Sequence, residues 1–149
     1  MNIGVLGGTF DPPHEAHLRI AERSIDQFNL DRVIFIPSGN PWQKKDATSY
    51  RHRYEMTKIL IGDSNDLEIS DIENSEKNPS YTYETLNKLN HPKEKLYFIL
   101  GSDAAINIKT WKKLHKNFTS SSIRIFTYYH SITRPQTSKH GIANSCHTT

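Results

Sequence analysis

One stretch constrains this chain more than any other: Gly7-Gly8-Thr9-Phe10-Asp11-Pro12-Pro13-His14-Glu15-Ala16-His17-Leu18. An apolar run at residues 3–6 precedes it and reads as a buried strand. Leu18, Ala21, Ile25 and Phe28 follow at helical spacing, so the segment after it reads as an amphipathic helix. The two glycines are therefore expected at a strand-to-helix turn, where Gly permits positive φ and lets a ligand approach the backbone. The start of a helix offers unpaired N–H groups and the positive end of its dipole, which suit an anion such as phosphate. His14 and His17 lie three residues apart and share a helix face, so both rings are expected to point at one phosphate chain. A Gly-Gly pair alone is a common turn. Two histidines alone do not make a zinc site. A strand followed by Gly-Gly, Phe-Asp-Pro and His-x-x-His at a helix start is far more specific than its parts.

The stretch resembles the G-x-F-D-P-x-H-x-G-H signature of the nucleotidyltransferase superfamily. With two leading glycines it is similar to the bacterial nicotinate-mononucleotide adenylyltransferases. One position departs: the family's Gly between the histidines is Ala16. Ala suits helical backbone better than Gly, but if the family's Gly lets a nucleotide approach closely, the methyl group of Ala16 would crowd it.

Further along, residues 33–36 read as a second buried strand stopped by Pro37, and Asn29 as a left-handed cap to the first helix. The loop Pro37-Ser38-Gly39-Asn40-Pro41-Trp42-Gln43-Lys44-Lys45 then falls at a strand's carboxyl end, where open α/β sheets bind ligands. It is similar to the family's P-S-x-x-P-x-H-K loop, with Gln43 in place of the His. Trp42 serves equally as a packing residue or a lid. Ser49 is a candidate cap for a helix over residues 50–61, with Met56, Ile59 and Leu60 expected to face inward. Arg53 and Met56 match a family R-x-x-M spacing, although Arg53 fits a solvated surface position equally well. Residues 67–72 read as a third strand, and Ser80 as a cap for a helix through Leu89. Ser70 to Glu73 and Pro79 to Leu86 resemble the family's S-D-I-E and P-S-Y-T-x-x-T-L. That resemblance implies that Tyr81 and Thr82 line a pyridine pocket; without it, Ser80 and Thr82 simply satisfy helix N–H groups.

Leu96-Tyr97-Phe98-Ile99-Leu100-Gly101 is the clearest buried strand, with Ser102 and Asp103 at the next corner. This resembles F-I-x-G-x-D. Gly101 would admit a nucleotide closely, and Asp103 would accept a hydrogen bond from a ribose hydroxyl or a metal-bound water, or else cap a helix. Thr110-Trp111 resembles the family's T-W, which places the indole near the nicotinate ring; a core Trp is the alternative. Residues 123–128 read as a fifth strand. Five strands alternating with helices predict an α/β, Rossmann-like, doubly wound parallel sheet with helices on both faces.

The pattern stops at Pro135. Residues 136–149 carry no period and few apolar side chains and read as a disordered tail, so residues 1–135 are the expected domain. The family continues with I-S-S-T-x-I-R, which nothing after Pro135 matches. Residues 118–124 imitate it by letters but stand too early. A truncated chain, with a frameshift as the source of the tail, is the expectation.

Composition sets outer bounds. The 149 residues suit one domain, and a formal charge of +3 is too slight to indicate nucleic acid. The single cysteine, Cys146, excludes an internal disulfide and fits a reducing compartment. The longest apolar runs fall far short of a membrane span, and the N-terminus reads as a strand rather than a leader, so a cytoplasmic protein is expected. The resemblance implies transfer of the adenylyl group of ATP to nicotinate mononucleotide, with release of pyrophosphate. In this reading His14 and His17 are catalytic, drawn to the imidazolium form by the phosphates. Gly7, Gly8, Thr9, Phe10, Gly101 and Asp103 join them in holding ATP with its Mg²⁺, and Asn40, Lys44, Tyr81, Thr82 and Trp111 hold the second substrate. Two rivals remain. A phosphopantetheine adenylyltransferase shares the first motif but not the matches at Pro79–Leu86 and Leu96–Trp111. A non-catalytic nucleotide-binding remnant would accommodate Ala16 and the missing phosphate motif.

Overall fold

The computed structural model describes residues 1–41, 44–75, 82–92, 95–101 and 124–128. Its strands are β1 (Ile3–Gly8), β2 (Arg32–Pro37), β3 (Leu67–Ile69), β4 (Leu96–Gly101) and β5 (Arg124–Tyr128). They form one sheet in the order β3-β2-β1-β4-β5, with every neighbouring pair parallel. The chain starts at the centre, winds to one edge, returns beside β1 and winds to the other edge, as a doubly wound sheet does. The helices among the described residues are α1 (Glu15–Phe28), α2 (Tyr50–Ile61) and α3 (Thr82–Lys88).

Strand side chains alternate between two cores, as a period of two requires. Leu6, Val33, Phe35, Tyr97 and Ile99 pack with Ile20 and Ala21 of α1 and Ile61 of α2. Ile3, Val5, Ile36, Leu96, Phe98 and Leu100 pack on the opposite face with Leu86 of α3. Helices thus cover both faces, which is why these strands read as continuous apolar runs and not as alternating ones.

Helix ends follow local chemistry. Asn29 closes α1 with φ 50° and ψ 51°, the left-handed cap that its sequence position implied. Ser49 caps α2 by accepting a hydrogen bond from the His52 amide. The buried face of α2 differs from expectation. Tyr50, Arg53, Thr57 and Ile61 point inward, whereas Ile59 is 78% exposed. The inward stripe still repeats at helical spacing, but half of it is polar, so counting apolar residues missed its centre; Met56 and Leu60 are half-buried beside it. Strand β3 is also shorter than residues 67–72. The Ser70 amide makes a last bond to the Phe35 carbonyl, and Ser70 Oγ then accepts from the Ile72 amide, turning the chain away from the sheet. Ser80 and residues 136–149, about which expectations were stated above, lie outside the described residues.

The sheet opens at its carboxyl end. β1 stays paired with β2 through Gly8, and β4 stays paired with β5 through Gly101. Pairing between β1 and β4 ends at Leu6 and Ile99. Gly7 and Gly8 are therefore not paired with Leu100 and Gly101, which marks a candidate cleft where the strand order reverses. That is where open α/β sheets place their ligands.

Candidate nucleotide-binding cleft

Six residues, 9–14, lead from the rim of this cleft into α1. The turn expected at the glycines begins after them. Gly7 and Gly8 are the last two residues of β1, and neither has positive φ. The left-handed residue is Phe10, at φ 50°. Such backbone costs an L-residue about 1–2 kcal/mol. The Phe10 ring is only 3% exposed and packs in the core against Phe35, a burial of about 1.5–3 kcal/mol, so packing outweighs the strain. The glycines matter for space instead. A Cβ on Gly8 would lie 3.2 Å from the Phe10 ring. At Gly101, among the described residues, nothing stands within 4 Å of where a Cβ would be.

His14 is the N-cap of α1 and His17 its third residue. The His14 amide donates to His17 Nδ1 at 3.1 Å, and the His17 amide donates to the His14 carbonyl at 3.0 Å. A Glu or Gln usually reaches back to the N-cap amide in this way; here an imidazole does so. The two rings stack 3.9 Å apart at 28°, and the edge of His17 meets Phe10 at 5.0 Å. The two rings thus lie together at the helix start. Without a bound phosphate, His17 resists the imidazolium form. Burial pushes His17 down to about 4, with the nearby His14 adding to the effect. Because Nδ1 accepts the backbone hydrogen bond, neutral His17 carries its proton on Nε2 and is a donor there. Ala16 lies half-buried in the first turn between the two histidines.

The neighbouring loops are tied to this turn. Asp11 Oδ2 accepts from the Thr48 amide at 2.7 Å, and Thr48 holds the Asp11 carboxyl below the usual carboxylate range. Lys44 is exposed, yet its charge acts on both Asp11 and His17, so the loop after β2 returns to the cleft mouth. Asn40 sits half-buried on that loop. Gly39 is buried against the segment after β3, where a Cβ would come within 1.9 Å of the Glu73 carbonyl oxygen. Glu73 in turn accepts from the Thr85 hydroxyl of α3, and half-buried Thr82 opens that helix on the same edge of the sheet. Trp42, Gln43, Tyr81, Asp103 and Trp111 lie outside the described residues.

Arg53, which read equally well as a surface residue, is 1% exposed. Its Nε donates to the Thr48 carbonyl at 2.7 Å. One terminal nitrogen reaches the Thr9 carbonyl at 2.9 Å and the Ser38 carbonyl at 2.7 Å, and the other reaches Gly39 at 3.3 Å. Burying a cation costs several kcal/mol. Hydrogen bonds from a charged donor return about 1.5–3 kcal/mol each, so four of them hold the guanidinium inside. The R-x-x-M spacing was the one signal in the sequence that pointed to this residue.

Among the described residues no three His, Cys, Asp or Glu side chains gather as a metal cage, and no helix is long and apolar enough to cross a membrane.

A doubly wound parallel sheet, open at its switch point beside a helix start, defines an α/β protein of the Rossmann-like nucleotidyltransferase type. The chain belongs to the cytidylyltransferase-like family, whose model matches residues 5–145. It is 47% identical over 116 residues to a Desulfitobacterium hafniense (strain Y51) protein named "Probable nicotinate-nucleotide adenylyltransferase", covering 75% of this chain and 56% of that one. A Clostridium tetani protein of the same name is 41% identical over 127 residues, 83% of this chain and 64% of that one. The chain therefore spans somewhat over half the length of such relatives. Among solved structures, the Plasmodium falciparum nicotinic acid mononucleotide adenylyltransferase complexed with NaAD superposes with a TM-score of 0.74 at 24% identity. It covers 91% of this chain and 67% of that one and shares the fold.

Proposed function

We propose that the chain performs adenylyl transfer from ATP to nicotinate mononucleotide, making nicotinate adenine dinucleotide and pyrophosphate for NAD biosynthesis. The observation that carries this reading is the cleft between β1 and β4 with two stacked imidazoles at the helix start beside it. The activity for which the relatives are named supports the choice of substrates.

In the reaction a phosphate oxygen of the mononucleotide forms a bond to the α-phosphorus of ATP. The bond from that phosphorus to the bridging oxygen breaks, and pyrophosphate leaves with the electron pair. No protein nucleophile takes part; positioning and stabilisation of spreading negative charge are the protein's contribution. His17 donates from Nε2 and His14 from the ring stacked on it, toward the phosphate chain. The amides at the start of α1 add to this field. Gly7, Gly8 and Gly101 leave the room that the triphosphate and ribose need, and Thr9 and Phe10 shape the rim. Lys44 and Asn40 line the second substrate's side, with Thr82, Tyr81 and Trp111 completing that pocket, and Asp103 joins the residues that hold ATP. Mg²⁺ would enter with the phosphates of ATP and, when bound, would neutralise part of their charge, with Asp103 the carboxylate proposed to meet a metal-bound water. The reading takes residues 1–135 as the domain and 136–149 as a tail.

The test is pyrophosphate release from ATP and nicotinate mononucleotide by the full chain. His17→Ala is expected to lower turnover by about 10²–10³ while the far-ultraviolet spectrum is kept. Turnover equal to the native chain removes His17 from the mechanism. ATP binding without pyrophosphate release reduces the protein to a nucleotide binder.

A further inference from the structure

We infer that Arg53 is a positioning residue for the cleft: one buried guanidinium sets the relative placement of the three segments that form its mouth. The inference rests on the cleft's proposed role in binding ATP. Four of the five N–H donors of a guanidinium are committed here to backbone carbonyls of Thr9, Ser38, Gly39 and Thr48. These carbonyls belong to separate parts of the chain. Thr9 opens the turn that leads to the two histidines. Ser38 and Gly39 begin the loop that returns to the mouth at Lys44. Thr48 carries the amide that binds Asp11. None of the three segments belongs to a strand or helix: the Ser38 amide donates to the Gly8 carbonyl at 2.9 Å where the β1–β2 ladder ends, and Arg53 adds the bonds that tie Thr9, Ser38 and Gly39 to Thr48.

A planar fork reaches all four carbonyls at once because its donors diverge at fixed angles. Lysine keeps the charge but offers a single ammonium on a flexible stem. It can satisfy one cluster of carbonyls and not the full set. One further contact holds the fork in place, the Tyr50 ring 5.8 Å from the guanidinium carbon, while the Thr57 hydroxyl donates to the Arg53 backbone carbonyl at 2.7 Å within α2. Helix α2 thus works as a peg driven under the mouth, with its charged tip on the side that a binary hydrophobic pattern leaves to solvent.

The experiment compares the native chain with Arg53→Lys, and with Arg51→Lys as an exposed control on the same helix. Ligand-free amide hydrogen exchange and melting temperature are measured first, then the affinity for Mg-ATP by calorimetry. For Arg53→Lys, amides in segments 9–11, 38–40 and 48–49 are expected to lose protection by about tenfold or more, as loss of charge-assisted hydrogen bonds implies. Amides in β1, β2 and β4 keep theirs. The melting temperature stays within a few degrees, and Mg-ATP binds about tenfold more weakly. Arg51→Lys changes none of these. Unchanged exchange at the three segments overturns the inference, and so does unchanged Mg-ATP affinity in a variant whose segments have loosened. Loss of protection throughout the sheet, or failure of Arg53→Lys to fold, also overturns it, because Arg53 then holds the fold and not the mouth. If the native chain binds no Mg-ATP, the proposed function falls, and the ligand-free exchange alone decides whether Arg53 places the segments.

Discussion

His17 does three things at once. Its Nδ1 takes the His14 amide, its ring edge rests on Phe10, and its Nε2 is left as a donor beside the cleft. The first two make it part of the helix start as well as of the proposed chemistry, and they predict how stability responds to acid. The folded-state value, about 4, lies below the roughly 6.5 of a solvated imidazole. As pH falls, the unfolded chain takes up the proton first. The stability due to neutral His17 is therefore complete above about pH 6.5 and is lost progressively toward pH 4. His17→Asn, which keeps an acceptor for the His14 amide, does not titrate there. Thermal melts of the two proteins from pH 7 to pH 4 should show the native chain losing ground to the variant. Parallel curves would mean that the ring is as well solvated when folded as when unfolded. The identity of both histidines was legible in the sequence, because a helix start fixes which residues share a face. The burial that lowers His17 was not, because the ring packs on Phe10, and a left-handed Phe turned inward has no local sequence signal.

At the scale of single elements, caps and apolar runs were the legible part. Asn29, Ser49 and the bounds of β4 follow from local chemistry alone. The face of α2 did not follow, since a buried Arg satisfied by carbonyls from distant segments looks in sequence like any surface Arg. The loop after β2 teaches the same lesson through Gly39. In sequence it is a glycine in a loop; in the fold it abuts the carbonyls of Glu73 and Ser75, at 1.9 and 2.5 Å from a built Cβ. Backbone atoms cannot swing aside as a side chain can. Gly39→Ala is expected to cost at least about 1–3 kcal/mol, the usual range for overpacking, measured as a lower denaturation midpoint in urea. A neutral result would show that the segment after β3 moves freely, and with it Glu73 and its hold on Thr85.

Across the whole molecule, the doubly wound topology was legible because strands buried on both faces leave long apolar runs and parallel connections are right-handed. The cleft was legible only as a location. Its opening depends on pairing that stops at Leu6 and Ile99, a property of register that no single segment encodes. Gly101 tests the cleft directly. Gly101→Val places a branched side chain where, among the described residues, there is open space and ordinary strand backbone. The melting temperature should stay within a few degrees while Mg-ATP affinity falls about tenfold or more, as expected when a ligand is displaced from its seat. A variant that binds like the native chain would place the nucleotide elsewhere.

The order of the strands has one more result. Among the described strands, β1–β3 form one wing and β4–β5 the other, and the ladder joining the wings matches four residues of β1 with four of β4. A nucleotide seated in the gap above that short seam touches both wings and works as a rivet between them. Occupancy should then slow hydrogen exchange most strongly in the middle of the sheet, at residues the nucleotide never touches.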